Sequence, residues 1–156
     1  MNNHGLVKNL FHINIVAVDF EKVLHFYRDI CGCEQMFVVS QGAFRQMFGE
    51  TPTAEEEKTT RLTYLRVAPE QYIELVNGLI KPSMPQRSHT NTFNHMSLLT
   101  ENLDFTVNTL EKEDIPVFQN PTEQTVGEYN CDNLGRRYAW IRDPEGTLIK
   151  IMEMSK

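Results

Sequence analysis

The 156-residue chain has no long apolar run, no excess of positive charge and few cysteines. No stretch approaches the roughly 18 apolar residues that a bilayer-crossing helix needs, so no membrane span is predicted. The opening Met1-Asn2-Asn3-His4 lacks the charged-then-apolar pattern of a secretory leader, and the expected location is cytoplasmic. A formal net charge of −6, with Lys and Arg scattered singly, makes nucleic acid and anionic membrane poor candidates as partners. The expected partner is a small molecule. Cys31, Cys33 and Cys131 are an odd number without C-x-x-C spacing, which argues against both a disulfide framework and a zinc ribbon.

What remains is enough apolar material, 40% of the chain, for a globular core. Phe11–Val18 is rich in β-branched residues and predicts a strand with Ile13 and Ile15 on one face and His12, Asn14 and Val16 on the other. Asp19 is a good N-cap. Phe20, Val23, Leu24, Tyr27, Ile30 and Cys31 then recur at helical spacing until Gly32, which predicts an amphipathic helix. Strands are predicted near Glu34–Ser40, Arg61–Val67 and Gln71–Val76, with an acidic, turn-rich stretch, Gly49–Thr60, between the first two.

The second half repeats this order. His95-Met96-Ser97-Leu98-Leu99 resembles His12-Ile13-Asn14-Ile15-Val16, and the caps Asp19 and Asn102 each follow their histidine by seven positions. A helical stripe begins at Leu103 and ends before Pro116. Strands are predicted near Pro116–Gln119, Arg136–Arg142 and Thr147–Glu153, the last two joined by the turn Asp143-Pro144-Glu145-Gly146. The expected organisation is one α+β domain over residues 1–156, made of two βαβββ modules at 8–80 and 93–156 with a linker at 81–92. Asn120–Asn133 reads as a long loop, either a lid or ordinary surface.

Three residues point to chemistry. In Tyr72-Ile73-Glu74-Leu75-Val76 a carboxylate interrupts an apolar strand; Ile73 and Leu75 pack on helices, so Glu74 faces the opposite side, where it must be solvated, paired or metal-bound. By the same alternation His12 and His95 also face away from the helices. Two imidazoles and a carboxylate suit Zn, Ni, Fe(II), Mn or Co, with open positions for water or substrate. Each residue alone is more often structural; their repeated placement is what makes them candidates.

Taken together, Phe11-His12, Asp19-Phe20-Glu21-Lys22 through Phe26-Tyr27-Arg28-Asp29 to Gly32, and Asp143-Pro144-Glu145-Gly146 before the final strand resemble the vicinal oxygen chelate superfamily of glyoxalases and bleomycin-resistance proteins. The resemblance implies two modules forming a cupped mixed sheet, a divalent metal on its concave face, and a glutamate that moves a proton. It assigns His12, Glu74 and His95 to three of four ligand positions. The fourth departs: where the family carries a glutamate, this chain has Lys150, and strand parity sets Glu153 on the helix side. A protonated lysine repels a divalent ion and can pair with Glu74; a neutral one serves as a base.

Pairing Arg142 with Thr147 across the last turn sets Arg137, Ala139 and Ile141 on the concave side, with Arg137 as a substrate-binding candidate, and sends Trp140 to the core. Tyr72 shares the face of Glu74 and is a second binding candidate. Two functions remain open. One is a metal-dependent lyase or isomerase that abstracts a proton beside a carbonyl, with Glu74 and Lys150 as its catalytic groups; iron oxygenase chemistry is a remoter relative of it. The other is a metal-free small-molecule binding or resistance protein. The resemblance further implies a homodimer.

Overall fold

A computed structural model of the chain describes residues 10–78, 95–119, 130–131 and 137–153. The chain divides into two compact units, residues 1–83 and 84–156, each with its own sheet. The linker expected at 81–92 lies outside the described residues.

In the first unit β1 (His12–Ala17) leads into α1 (Phe20–His25). The Asp19 side chain accepts from the Lys22 amide at 3.2 Å, the cap its position predicts. The helix does not run on as α-helix to Gly32; a π-helical turn, Phe26–Ile30, extends it, with Cys31 N–H donating to the Phe26 carbonyl at 2.9 Å. This wider turn keeps both Phe26 and Tyr27 in the core. Gly32 ends it at φ +74°, where a side chain would be strained. Next come β2 (Glu34–Ser40), two short helices α2 (Gln41–Met47) and α3 (Ala54–Lys58), then β3 (Thr60–Ala68) and β4 (Gln71–Asn77).

Of this helical hairpin only α3 falls in the stretch expected to be turn-rich, Gly49–Thr60, and α2 precedes it. Its caps are local: Ser40 accepts from the Ala43 amide, and Thr53 and Glu56 form a reciprocal capping box. Gly42 lets the two helices touch, since a Cβ there would stand 2.9 Å from the Glu57 backbone. The sheet order is β1-β4-β3-β2, with β1 parallel to β4 and the other pairs antiparallel.

The second unit holds β5 (Met96–Thr100), α4 (Leu103–Lys112), β6 (Asn130–Cys131), β7 (Arg137–Arg142) and β8 (Leu148–Glu153). Its order, β5-β8-β7-β6, with β5 parallel to β8, reproduces that of the first. Asn102 caps α4 by accepting from the Phe105 amide at 2.9 Å. Leu103, Val107 and Leu110 of α4 are buried, as are Ile149 and Ile151 of β8. The strand expected at Pro116–Gln119 is instead a single bridge from Phe118 to Trp140, because Pro116 has no N–H to donate to a longer ladder. The partner strand is β6, inside the segment read as a loop; residues 120–129 lie outside the description. Among the described residues no helix is long and apolar enough to cross a membrane.

Candidate functional site

Register decides which side chains meet on the face of each sheet turned away from its helix. In the first unit Asn14 pairs with Glu74, Glu74 with Tyr64, and Tyr64 with Phe37, so these four form one row across β1, β4, β3 and β2. One step along, His12 pairs with Tyr72. The sequence argument therefore holds for His12, Tyr72 and Glu74, which the sheet brings onto one face.

Glu74 is the polar centre of that face, its side chain only 16% exposed. Its Oε2 accepts from the Asn14 amide at 2.7 Å and stands 3.3 Å from His12 Nε2. Tyr64 lies directly across from Glu74 in the β3–β4 ladder. Partial burial, reinforced by the Glu74 charge, holds the Tyr64 phenol above its ordinary pKa. Rings surround the carboxylate: Tyr64 stacks on Phe37 at 4.8 Å and meets the His12 ring edge-on at 5.6 Å, while Phe11 lies 5.0 Å from Tyr72. His12 Nδ1 is buried and has no hydrogen-bond partner.

This donor set falls short of a metal centre. Catalytic zinc sites draw on about three protein ligands, and among the described residues of the first unit the contact joins two, His12 and Glu74. No group of three His, Cys, Asp or Glu positioned to hold an ion occurs among the described residues.

In the second unit the corresponding row is Ser97, Lys150, Trp140 and Phe118. His95 lies just before β5, its ring 4.9 Å from that of Trp140 in an edge-on contact. Lys150 Nζ stands 3.8 Å from the Tyr138 ring centre and 5.7 Å from that of Trp140. His95 thus meets an indole, and Glu74 belongs to the other unit's sheet.

Two expectations about this hairpin are corrected. Arg142 pairs with Leu148, not Thr147. The turn is a tight one, Gly146 N–H donating to the Asp143 carbonyl at 3.0 Å, with Gly146 at φ +91° and Asp143 itself bonded to Thr147. The glycine bulge shifts the register by one residue, and a shift of one turns every side chain of β7 to the opposite face. Trp140 therefore joins Lys150, while Ala139 and Ile141 are buried on the helix side. Arg137 follows them: its guanidinium pairs with Asp104 of α4 at 2.6 Å and with Glu153 at 3.6 Å, so the substrate-binding role expected for it does not fit its position. Glu153 is on the helix side, as parity requires, and its Oε1 accepts from the Leu103 amide at 3.2 Å.

Asn14, Tyr64, Phe37, Tyr138 and Trp140 are the face residues that the sequence argument did not select. For Tyr64 a signal was present: in Arg61–Val67 the buried positions are Arg61, Thr63 and Leu65, which leaves Leu62, Tyr64 and Arg66 for the other face. Trp140 had none that survives the glycine bulge.

A sequence profile of the Glyoxalase/Bleomycin resistance protein/Dioxygenase superfamily matches residues 11–132. Among solved structures, a glyoxalase family protein from Enterococcus faecalis superposes with a TM-score of 0.63 at 17% identity, covering 94% of this chain and 98% of its own. Lactoylglutathione lyase from Agrobacterium tumefaciens gives 0.60 at 18% identity, with 94% of each chain covered. An antibiotic-binding protein from Streptomyces gives 0.63 at 18% identity, covering 97% of this chain and 100% of its own. No curated protein sequence matches the chain. At these identities the structural likenesses establish the fold.

Proposed function

The chain belongs to the glyoxalase, bleomycin-resistance and dioxygenase superfamily, and from that membership we propose that it binds a small organic molecule on the aromatic faces of its sheets, without a resident metal. The observation that carries this reading is Lys150: at the strand position where the family pattern has an acidic ligand, an ammonium rests 3.8 Å from the Tyr138 ring centre on the face that also bears Trp140. A fixed positive charge there opposes a divalent ion. Rings on both faces, Phe37, Tyr64 and Tyr72 on one and Tyr138 and Trp140 on the other, offer flat apolar area to a planar ligand. That one solved relative is an antibiotic-binding protein is in keeping with it.

Elemental analysis of protein purified without added metal tests the proposal, followed by thermal shift with Ni, Zn, Mn, Fe(II) and EDTA. The expected result is substoichiometric metal and an unchanged Tm. One ion per chain, with a Tm lowered by EDTA, overturns it.

The second reading is a metal-dependent lyase or isomerase that removes a proton beside a carbonyl of an oxygenated metabolite. The 3.3 Å contact between His12 and Glu74, together with the buried, partnerless Nδ1 of His12, favours it, and one solved relative is a lactoylglutathione lyase. In it His12, Glu74 and His95 hold the ion, which would polarise the substrate carbonyl, and Glu74 or Lys150 takes the proton. A fold hosts several chemistries, so likeness alone does not choose between these readings. Either is compatible with a cytoplasmic homodimer, which light scattering and cell fractionation would test.

A further inference from the structure

We propose that the open face of the second sheet is an anion subsite: Lys150 binds the carboxylate of a planar aromatic acid whose ring packs on Trp140 and Tyr138. The proposal rests on the ligand-binding reading above and names the ligand class for one face.

Among the described residues the charge inventory of that face is one-sided. Alternation puts His95, Ser97 and Leu99 of the β5 segment, Tyr138, Trp140 and Arg142 of β7, and Leu148, Lys150 and Met152 of β8 on the same side. None is a carboxylate. Arg142 is engaged, donating from a guanidinium nitrogen to the Gly146 carbonyl at 2.9 Å. Lys150 is half-buried and makes no ion pair among the described residues; its contacts are the rings of Tyr138 and Trp140. The net charge of the chain is −6, so this face departs from the field of the molecule around it.

A cation held against a ring face still has ammonium hydrogens to donate, because the ring attracts the charge without accepting all three N–H bonds. Half-burial between two rings lowers local solvent screening, so an oxyanion that reaches Nζ forms a charge-assisted bond stronger than a surface lysine makes. The row fixes the geometry of selection. Ser97 flanks Lys150 on one side with a hydroxyl, and Trp140 flanks it on the other with a broad apolar surface. A ligand with a carboxylate one bond from a flat ring satisfies both neighbours.

Trp140 is the sole tryptophan, so its emission reports on this face. Quenching titrations at constant ionic strength use three probes of similar size: 4-nitrobenzoate, 4-nitrobenzamide and 4-nitrobenzylammonium, each with and without EDTA. Nitrobenzoate is expected to bind about tenfold more tightly than the amide, the ammonium probe weakest, with no effect of EDTA. Lys150→Met should bring nitrobenzoate down to the amide's affinity and leave the amide unchanged; Lys150→Arg should keep the preference; Lys150→Glu should favour the ammonium probe. Far-UV circular dichroism confirms that each variant is folded. Equal binding of the three probes overturns the anion subsite and leaves the ligand-binding reading standing. A nitrobenzoate preference lost in EDTA places the anion on a metal and overturns both. Absence of quenching by any probe at millimolar concentration also overturns both.

Discussion

The two sheets follow one plan and differ at its centre. Each has its first and last strands parallel, the order first-fourth-third-second, and a row across the middle made of a small polar residue, a charged residue, an aromatic residue and a phenylalanine. In the first unit that row reads Asn14, Glu74, Tyr64 and Phe37; in the second it reads Ser97, Lys150, Trp140 and Phe118. The frame is conserved by buried residues at equivalent places, Ile73 and Ile149 beside the charge, whereas the charge itself is inverted. Its consequence is local. Glu74 draws an amide donor and an imidazole; Lys150 lies against ring faces and makes no ion pair among the described residues.

The comparison is tested most severely at the frame. Ile73 and Ile149 are 1% and 0% exposed, and truncation of either to alanine should cost about 2–5 kcal/mol in urea denaturation, with the two losses similar. Clearly unequal losses would break the equivalence of the units. Next in size is a feature that, among the described residues, belongs to the first unit, the α2–α3 hairpin. Gly42→Ala forces a Cβ against the Glu57 backbone and should destabilise by about 1–3 kcal/mol; a neutral substitution would show that the hairpin is loosely attached.

Lys150→Glu makes the second row a charge copy of the first. Replacing the ammonium beside the His95–Trp140 pair with a carboxylate should raise Ni or Zn affinity by at least about tenfold, measured by calorimetric titration. An unchanged affinity would remove Lys150 from the vicinity of any metal position. The smallest effect belongs to Tyr64→Phe, which removes the hydroxyl of the ring facing Glu74 across the β3–β4 ladder and should cost about 0.5–1.5 kcal/mol. The wild-type protein carries a pH signature of that residue. Because the phenol is raised in the folded state, its contribution is complete below the unfolded tyrosine pKa and is lost as pH rises through the folded one. The stability gap between wild type and Tyr64→Phe should narrow accordingly in alkaline denaturation series. Cys33, whose thiol burial pushes up to about 11, adds a loss of the same sign.

Much of the fold was legible because its signals are local. Alternation in Phe11–Val18 and Tyr72–Val76, the caps Asp19 and Asn102, and the turn glycines are each decided within a few residues. The same alternation identified Glu74 as a carboxylate on an otherwise apolar strand. Two things were not legible. The short α2 and α3 are stabilised by caps and by a glycine contact between helices, features that a composition scan reads as turns. The face of Trp140 turned on one bulged glycine, since a three-residue loop in place of a four-residue one reverses all of β7.

By itself the sequence determined β1, α4 and the longer strands of each unit and which residues of β1, β4 and β8 face away from the helices, because the period of a strand is a covalent property of the backbone. Only the tertiary structure decided neighbourhood: that Glu74 sits between Asn14 and Tyr64, that Arg137 spends its charge on Asp104, and that Lys150 lies against Tyr138. Those pairings depend on the register between strands distant in sequence, and register is fixed by turn geometry and burial acting over the whole sheet.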